Sequence, residues 1–269
     1  MKKVSLVMAI IVLAVFASCG CCRRHQGKII AQDLEYKSNG MEMQGYIAYD
    51  CAAKGKRPAV IIVHEWNGLG DYVKGRAKQV AELGYVAFCA DIYGKGVRAS
   101  SMEESAKLAG TYRSDPKLMR ERITAALDEI RKHKLVDTEN IAVMGYCFGG
   151  GVALELARSG ADIKGVVSLH GTINNLEPAI TRTIKAKVLV LHGVDDKGVT
   201  PDIVMAFQNE MRNINADWQF ITYGGAVHGF TNPANGYDPG KGVAYNEKAD
   251  MRSWKAMKSF LKEIFGKMK

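Results

Sequence analysis

The stretch Ile141-Ala142-Val143-Met144-Gly145-Tyr146-Cys147-Phe148-Gly149-Gly150-Gly151 decides how this chain is read. Its first four residues have the apolar, partly β-branched character of a buried strand, and helical periodicity takes over across Val152–Arg158. Between the two the backbone must reverse sharply, with glycines at 145 and 149 on either side of one nucleophilic side chain. Small residues there let strand and helix crowd together, so the residue between them is pushed up into open space. Serine is commonest at the tip of such a nucleophile elbow; this chain has Cys147. A thiol at a helix N-terminus feels the positive end of the helix dipole, which favours thiolate. Two plainer readings compete: a tight strand–helix turn holding an inert cysteine, and a dinucleotide-binding glycine loop. The loop motif would need glycine where Cys147 stands, and the unit falls in mid-chain rather than at a domain start.

Working outward, strand-length apolar runs recur at Met43–Tyr49, Ala59–Val63, Val86–Ala90, Gly165–Leu169, Val188–Leu191 and Trp218–Tyr223. Helical periodicity fills Tyr72–Leu83, Lys117–His133 and Pro201–Asn213, and an amphipathic helix with Trp254, Met257, Leu261 and Ile264 on one face closes the chain over Glu247–Phe265. Continuous apolar strands alternating with helices indicate an α/β fold: a mostly parallel sheet covered on both faces. The opening segment alternates more and turns at Asn39-Gly40, which predicts an antiparallel hairpin at one edge of the sheet. No linker or repeat interrupts residues 29–269, so they read as a single domain.

In open sheets of this kind chemistry gathers beyond the carboxyl ends of the strands. The polar residues that end the apolar runs are His64-Glu65, Asp91, Cys147, His170 and His192 with Asp195-Asp196, and His228 follows a few residues past its strand. An elbow nucleophile needs an acid and then a histidine later in the chain. The pair Asp195-Asp196 and the glycine-flanked His228 stand in that order. A zinc site built from His64, His170 and His192 is the rival arrangement, but no HxH or HExxH spacing supports it. The expectation is no metal and no cofactor, with the three histidines hydrogen-bonded at strand ends.

At 269 residues the chain can bury roughly three quarters of its unfolded surface. Its net charge of +9 is scattered, without the basic, aromatic-interleaved runs of a nucleic-acid binder. The reading is of a monomer acting on a small molecule. Residues 1–18 resemble a secretory signal: Lys2 and Lys3, then an apolar run from Val4 to Phe16 too short to span a bilayer. Phe16-Ala17-Ser18-Cys19 resembles a bacterial lipoprotein cleavage box, giving a lipid on Cys19, a tether over 19–28 and a membrane-anchored exported protein; cleavage after Ala17 is the alternative. Six cysteines do not make a disulfide framework here, because Cys21 and Cys22 sit in the tether, Cys89 ends a buried run and Cys51 has no clear partner.

Taken together, His64-Glu65-Trp66-Asn67-Gly68-Leu69, Ala90-Asp91-Ile92-Tyr93-Gly94, Gly145-Tyr-Cys-Phe-Gly-Gly and Gly225-Ala-Val-His228 resemble the dienelactone hydrolase family of α/β-hydrolases, over about Leu34 to Phe265. The resemblance implies a triad of Cys147, His228 and Asp196, the last preferred to Asp195 because the family's pattern puts valine three residues after the acid, as Val199 is here. It also implies that Glu65 lies near the thiol and keeps it protonated until substrate arrives, the alternative being a salt bridge that supports the site. Family members that act on dienelactone clamp its carboxylate with two arginines. Here Gly94-Lys95 and Thr231-Asn232 occupy those places, so Lys95 or Arg98 would have to substitute.

The chemistry expected is acyl transfer to Cys147 from an activated ester, enol lactone or thioester. The oxyanion would be held by the backbone N–H of Phe148 and one near Trp66, and Tyr93 and Phe230 are candidates for an apolar wall. Competing functions are a non-catalytic ligand-binding surface lipoprotein and a thiol redox protein; no CxxC accompanies Cys147.

Overall fold

The computed structural model describes residues 28–178 and 184–266. The signal and lipidation readings, Cys19 included, lie outside the described residues. Among the described residues the sequence alternation becomes eight strands: β1 (Ile29–Ser38), β2 (Met41–Asp50), β3 (Arg57–Val63), β4 (Val86–Ala90), β5 (Val136–Tyr146), β6 (Gly165–Leu169), β7 (Lys187–Gly193) and β8 (Trp218–Tyr223). They form one sheet in the order β1-β2-β4-β3-β5-β6-β7-β8. The strands from β3 onward run parallel, while β1 and β2 are antiparallel to each other and β2 is antiparallel to β4. Asn39 and Gly40 both take positive φ (48° and 83°), the backbone that a two-residue hairpin turn of matching twist requires.

Among the described residues six α-helices cover the sheet: α1 (Asp71–Glu82), α2 (Met102–Ser114), α3 (Pro116–Arg131), α4 (Phe148–Arg158), α5 (Pro201–Asn213) and α6 (Glu247–Phe265). Strand residues alternate between two cores. Ile61, Val63, Phe88 and Val143 pack with Met119, Ile123, Val152 and Phe207 on one face. Val60, Ile62, Cys89 and Met144 pack with Val73, Val80, Met257 and Leu261 on the other. Cys89 is wholly buried, its Sγ 3.3 Å from the Val73 carbonyl, and burial pushes its thiol up, so it behaves as a small apolar residue.

Two elements depart from the sequence expectation. Helix α2 has no strong apolar stripe, because the residues it buries are Ser105, Ala109 and Tyr112. Its start is nevertheless signalled: Ser101 Oγ accepts from the Glu104 N–H at 3.1 Å, and the Glu104 carboxylate reaches back to the Ser100 N–H at 2.7 Å. Helix α4 begins at Phe148 rather than Val152, so Gly149, Gly150 and Gly151 are its first turn. A Cβ on Gly145 would lie 1.9 Å from the Gly149 carbonyl oxygen, and one on Gly149 would lie 2.5 Å from the Val63 carbonyl oxygen. The glycines therefore let α4 rest directly on the strands below it.

Candidate active site

Strand β5 delivers Cys147 to a turn in which φ is +53° and ψ −117°, a backbone region that L-residues seldom occupy. The turn is fixed from both sides: the Cys147 N–H donates to the Leu169 carbonyl at 3.0 Å, and its carbonyl accepts from the Gly150 N–H at 3.0 Å. Strain of this kind persists only where surroundings over-determine it, and it lifts the sulfur to the floor of a cavity. Cys147 is only 8% exposed and lines this cavity.

His228 arrives from the loop after β8, and Asp196 from the loop after β7. His228 Nε2 lies 3.0 Å from Cys147 Sγ, and its Nδ1 lies 2.8 Å from Asp196 Oδ2. Asp195 is exposed while Asp196 is buried, which separates the neighbouring acids. Burial alone would raise the Asp196 carboxyl, but the hydrogen bond and charge of His228 and the Gly198 N–H at 2.9 Å hold it below the usual carboxylate range. Burial likewise acts to lower His228, yet the negative charges available at Cys147 and Asp196 outweigh it and raise the imidazole to about 10. The three groups thus favour a sulfur–imidazolium–carboxylate line.

Behind His228 sits His170, its ring 5.4 Å away at a steep angle. His170 Nε2 is 2.7 Å from Thr231 Oγ1, which also meets the Tyr72 hydroxyl at 2.6 Å, while Arg76 donates to the Thr231 carbonyl at 2.8 Å. This buried network pins the loop carrying His228. Burial keeps His170 neutral, so it does not set a second positive charge against the imidazolium. His64 is also held neutral by burial, with Nδ1 at 2.6 Å from the Glu65 carbonyl and Nε2 accepting from the Ile92 N–H at 3.3 Å. Asp91 accepts from the backbone of Gln44, Tyr93 and Gly94, a loop-fixing role.

The cavity holds about 580 Å³ and is lined by Glu65, Trp66, Arg113, Cys147, Thr172, Asp196, Val199, His228, Asn232, Asn235 and Val243, among others. Glu65 takes a hydrogen bond from Asn232 Nδ2 at 2.8 Å. The Asn232 amide cannot present its oxygen instead, because Oδ1 accepts from the Ala234 N–H at 3.0 Å. Burial pushes the Glu65 carboxyl up, and the Asn232 hydrogen bond and the charge of His228 draw it back only in part.

Four expected substrate contacts lie elsewhere. Lys95 pairs with Glu35 at 2.8 Å on the edge hairpin, where the chain carries it once Gly94 has turned. Arg98 Nη1 donates to the Val97 carbonyl at 2.6 Å and its Nε to the Leu69 carbonyl, so its fork is spent on backbone. Tyr93 is 2% exposed, packed on Phe148 and bonded through its hydroxyl to the Trp66 carbonyl at 2.9 Å. It supports the cavity wall from behind. Phe230 is fully buried between the rings of His170 and Tyr223. The cavity lining does carry two other cations, Lys197 from the loop after β7 and Arg113 from the end of α2, the helix without an apolar stripe.

A parallel sheet with an elbow nucleophile after β5, an acid after β7 and a histidine after β8 defines an α/β-hydrolase. The model of the dienelactone hydrolase family matches residues 43–265, and the chain belongs to that family. A crystal structure of a dienelactone hydrolase-like promiscuous phosphotriesterase from metagenomic libraries superposes with a TM-score of 0.83 at 34% identity, covering 89% of this chain and all of the other. A Saccharolobus solfataricus protein named "Putative carboxymethylenebutenolidase" is 25% identical over 87% of this chain and 98% of its own length. An uncharacterized protein of Caenorhabditis elegans is 38% identical over 55% of this chain and 94% of its own. The chain is accordingly an ester hydrolase of the dienelactone hydrolase type.

Proposed function

We propose that this protein hydrolyses activated esters or lactones through Cys147, with His228 as base, Asp196 as its orienting acid and a thioester as the covalent intermediate. The observation that carries the reading is the line of contacts from Cys147 Sγ to His228 Nε2 (3.0 Å) and from His228 Nδ1 to Asp196 Oδ2 (2.8 Å), open to a cavity of about 580 Å³. The thiolate attacks the carbonyl carbon, and the carbonyl electron pair moves onto oxygen. Phe148 is the first residue of α4, so its N–H has no helical acceptor and is available to that oxyanion; an N–H near Trp66, on the cavity wall, would be the second donor. Collapse of the adduct expels the alkoxide or enolate, which takes the proton held by His228. Water, deprotonated by His228, then attacks the thioester and releases the acid and the thiolate.

The thiol narrows the substrate range. Thiolate leaves a tetrahedral adduct more readily than an ordinary alkoxide, so forward turnover needs a good leaving group such as an enolate, a phenolate or a thiolate. Glu65 is the carboxylate that would hold the thiol proton in the resting site; here it bonds Asn232 while the sulfur sits on His228. For the N-terminal segment the reading remains export with a lipid on Cys19, supported by the residues around that cysteine.

Incubation with aryl esters, enol lactones and thioesters, followed by mass spectrometry of the quenched protein, tests the proposal. An acyl adduct on Cys147 that disappears in Cys147→Ala is expected. Turnover that survives Cys147→Ala would overturn it, and binding without any adduct or turnover would favour a ligand-binding protein.

A further inference from the structure

The triad sets the direction in which a leaving group departs. The oxyanion points to the Phe148 N–H at the start of α4, and the leaving oxygen must lie within hydrogen-bond reach of His228 Nε2, which gives it a proton. Whatever that oxygen carries fills the part of the cavity beside His228. The lining residues that travel with the base and its acid are Gly198 and Val199 after β7, Ala234 and Asn235 after His228, and Gly242 and Val243 before α6. Val243 is fixed there by main-chain pairing. It forms a parallel β-bridge with His228, the Ala244 N–H donates to the His228 carbonyl at 3.2 Å, and the Asn246 N–H donates to the Phe230 carbonyl at 3.0 Å. Gly229 admits the approach: its φ is +69°, and a Cβ there would lie 3.1 Å from Val243 Cγ1. Val243 is thus held in register with the base, yet remains 41% exposed. The polar side chains beside it are already engaged. Asn232 commits Nδ2 to Glu65 and Oδ1 to the Ala234 N–H, Asn235 Nδ2 donates to the Gly229 carbonyl at 2.8 Å, and Asp196 is bound to His228. Lys197 is exposed and keeps its hydration.

From this we infer that Val243, with Val199 and Ala234, forms an apolar subsite for the leaving group and determines specificity there, so that the preferred substrates are esters of apolar phenols rather than of polar alcohols. The inference rests on the hydrolase reading above and adds the leaving-group side of the substrate. A polar leaving group entering this space sheds water and meets donors and acceptors that are already paired. An apolar one removes Val243 surface from water as well as its own. The subsite also suits the nucleophile, because a phenolate competes with thiolate in leaving the tetrahedral adduct where an ordinary alkoxide does not.

Two isosteric ester pairs test the inference. 4-Ethylphenyl acetate against 4-(hydroxymethyl)phenyl acetate exchanges a methyl for a hydroxyl on the leaving group. Phenyl hexanoate against phenyl 4-methoxybutanoate exchanges a methylene for an oxygen on the acyl group. The quantity compared is kcat/KM, which reports acylation, the step in which the leaving group is still present. The wild-type protein should prefer the ethyl ester by roughly tenfold, below the hundredfold of a closed apolar pocket because this subsite is open on one side. Val243→Thr keeps the shape and adds a hydroxyl, so it should lower that ratio severalfold, and Val243→Asp should abolish the preference. In both variants the ratio within the acyl pair should stay within about twofold of the wild-type value. Equal wild-type kcat/KM within the leaving-group pair, a ratio unmoved by both substitutions, or an acyl-pair ratio that shifts by the same factor would overturn the subsite while leaving the hydrolase reading intact. Failure of the wild-type protein to hydrolyse any of the four esters would remove the hydrolase reading and this inference with it.

Discussion

Asn232 Nδ2 donates to Glu65 Oε2 at 2.8 Å across 167 residues of sequence, which joins the loop after β3 to the loop that carries His228. The contact gives a buried carboxylate a neutral partner in place of a positive one. Because burial raises the folded-state pKa of Glu65 above its unfolded value, the folded protein holds that proton more tightly. The ionised carboxylate then costs stability at neutral pH, and the cost is relieved as pH falls through the raised value. Glu65→Gln can keep the Asn232 hydrogen bond, so it should raise the denaturation midpoint at pH 7, with the gain shrinking as pH is lowered toward about 4. A midpoint lowered at neutral pH would show that the carboxylate is better satisfied than its neighbours suggest.

Asp196→Asn should cut kcat by about four orders of magnitude, because the amide carries no charge to stabilise the imidazolium and its NH2 can donate to Nδ1, holding the imidazole in the wrong tautomer. The exposed neighbour Asp195, changed to Asn, should alter kcat by less than about twofold. Removing the Asp196 charge also removes part of what holds His228 up at about 10, so the imidazole titration followed by NMR should move to lower pH. An unmoved titration would mean that the sulfur alone sets it.

His228 supplies a stability window of its own. Its folded-state pKa of about 10 lies above the ordinary histidine value of 6.5, so folding favours the imidazolium. That contribution is complete below about pH 6.5 and is lost as pH rises toward 10. The stability of the wild-type protein relative to His228→Gln should therefore decline over that range and level off above it. Equilibrium unfolding at several pH values checks this, and a difference that grows with pH would reverse the sign assigned here.

Gly145→Ala places a Cβ 1.9 Å from the Gly149 carbonyl oxygen and 2.7 Å from the Gly150 nitrogen, both backbone atoms that cannot swing aside. The expected destabilisation is about 4 kcal/mol or more, seen as a large drop in soluble yield and midpoint. Gly75→Ala is the contrasting case. It lies inside α1 with nothing within 4 Å of the added carbon, and should stabilise the protein by roughly 0.5–1 kcal/mol through helix propensity.

The strand pattern, the edge hairpin and the meeting of Cys147, His228 and Asp196 were legible because each rests on a strong local signal: continuous apolar runs, Asn39-Gly40, and glycines around Cys147 and His228. Helix α2 was not, since the face it buries is built from Ser105, Ala109 and Tyr112 and lacks the large aliphatic residues that make periodicity visible. The capping pattern from Ser101 to Glu104 was the signal available. Missing α2 also hid Arg113. Lys95 and Arg98 follow the Tyr93 segment in sequence, but nearness along the chain does not say which way a loop turns. The backbone after Gly94 carries Lys95 to Glu35, and the carbonyls of Leu69 and Val97 take up Arg98. Likewise Asn232 was read only for the charge it lacks, whereas its role as a donor depends on Glu65 arriving from a distant loop.

The Cys147 sulfur follows directly on β5, in the middle of the sheet, while the His228 imidazole comes from the loop after β8, an edge strand in which only Tyr223 is fully buried. Marginal strands fray with less free energy than central ones. Gentle heating or dilute denaturant should thus silence the protein by parting its two halves of chemistry while the bulk of the sheet still stands, so that inactivation precedes the loss of circular dichroism.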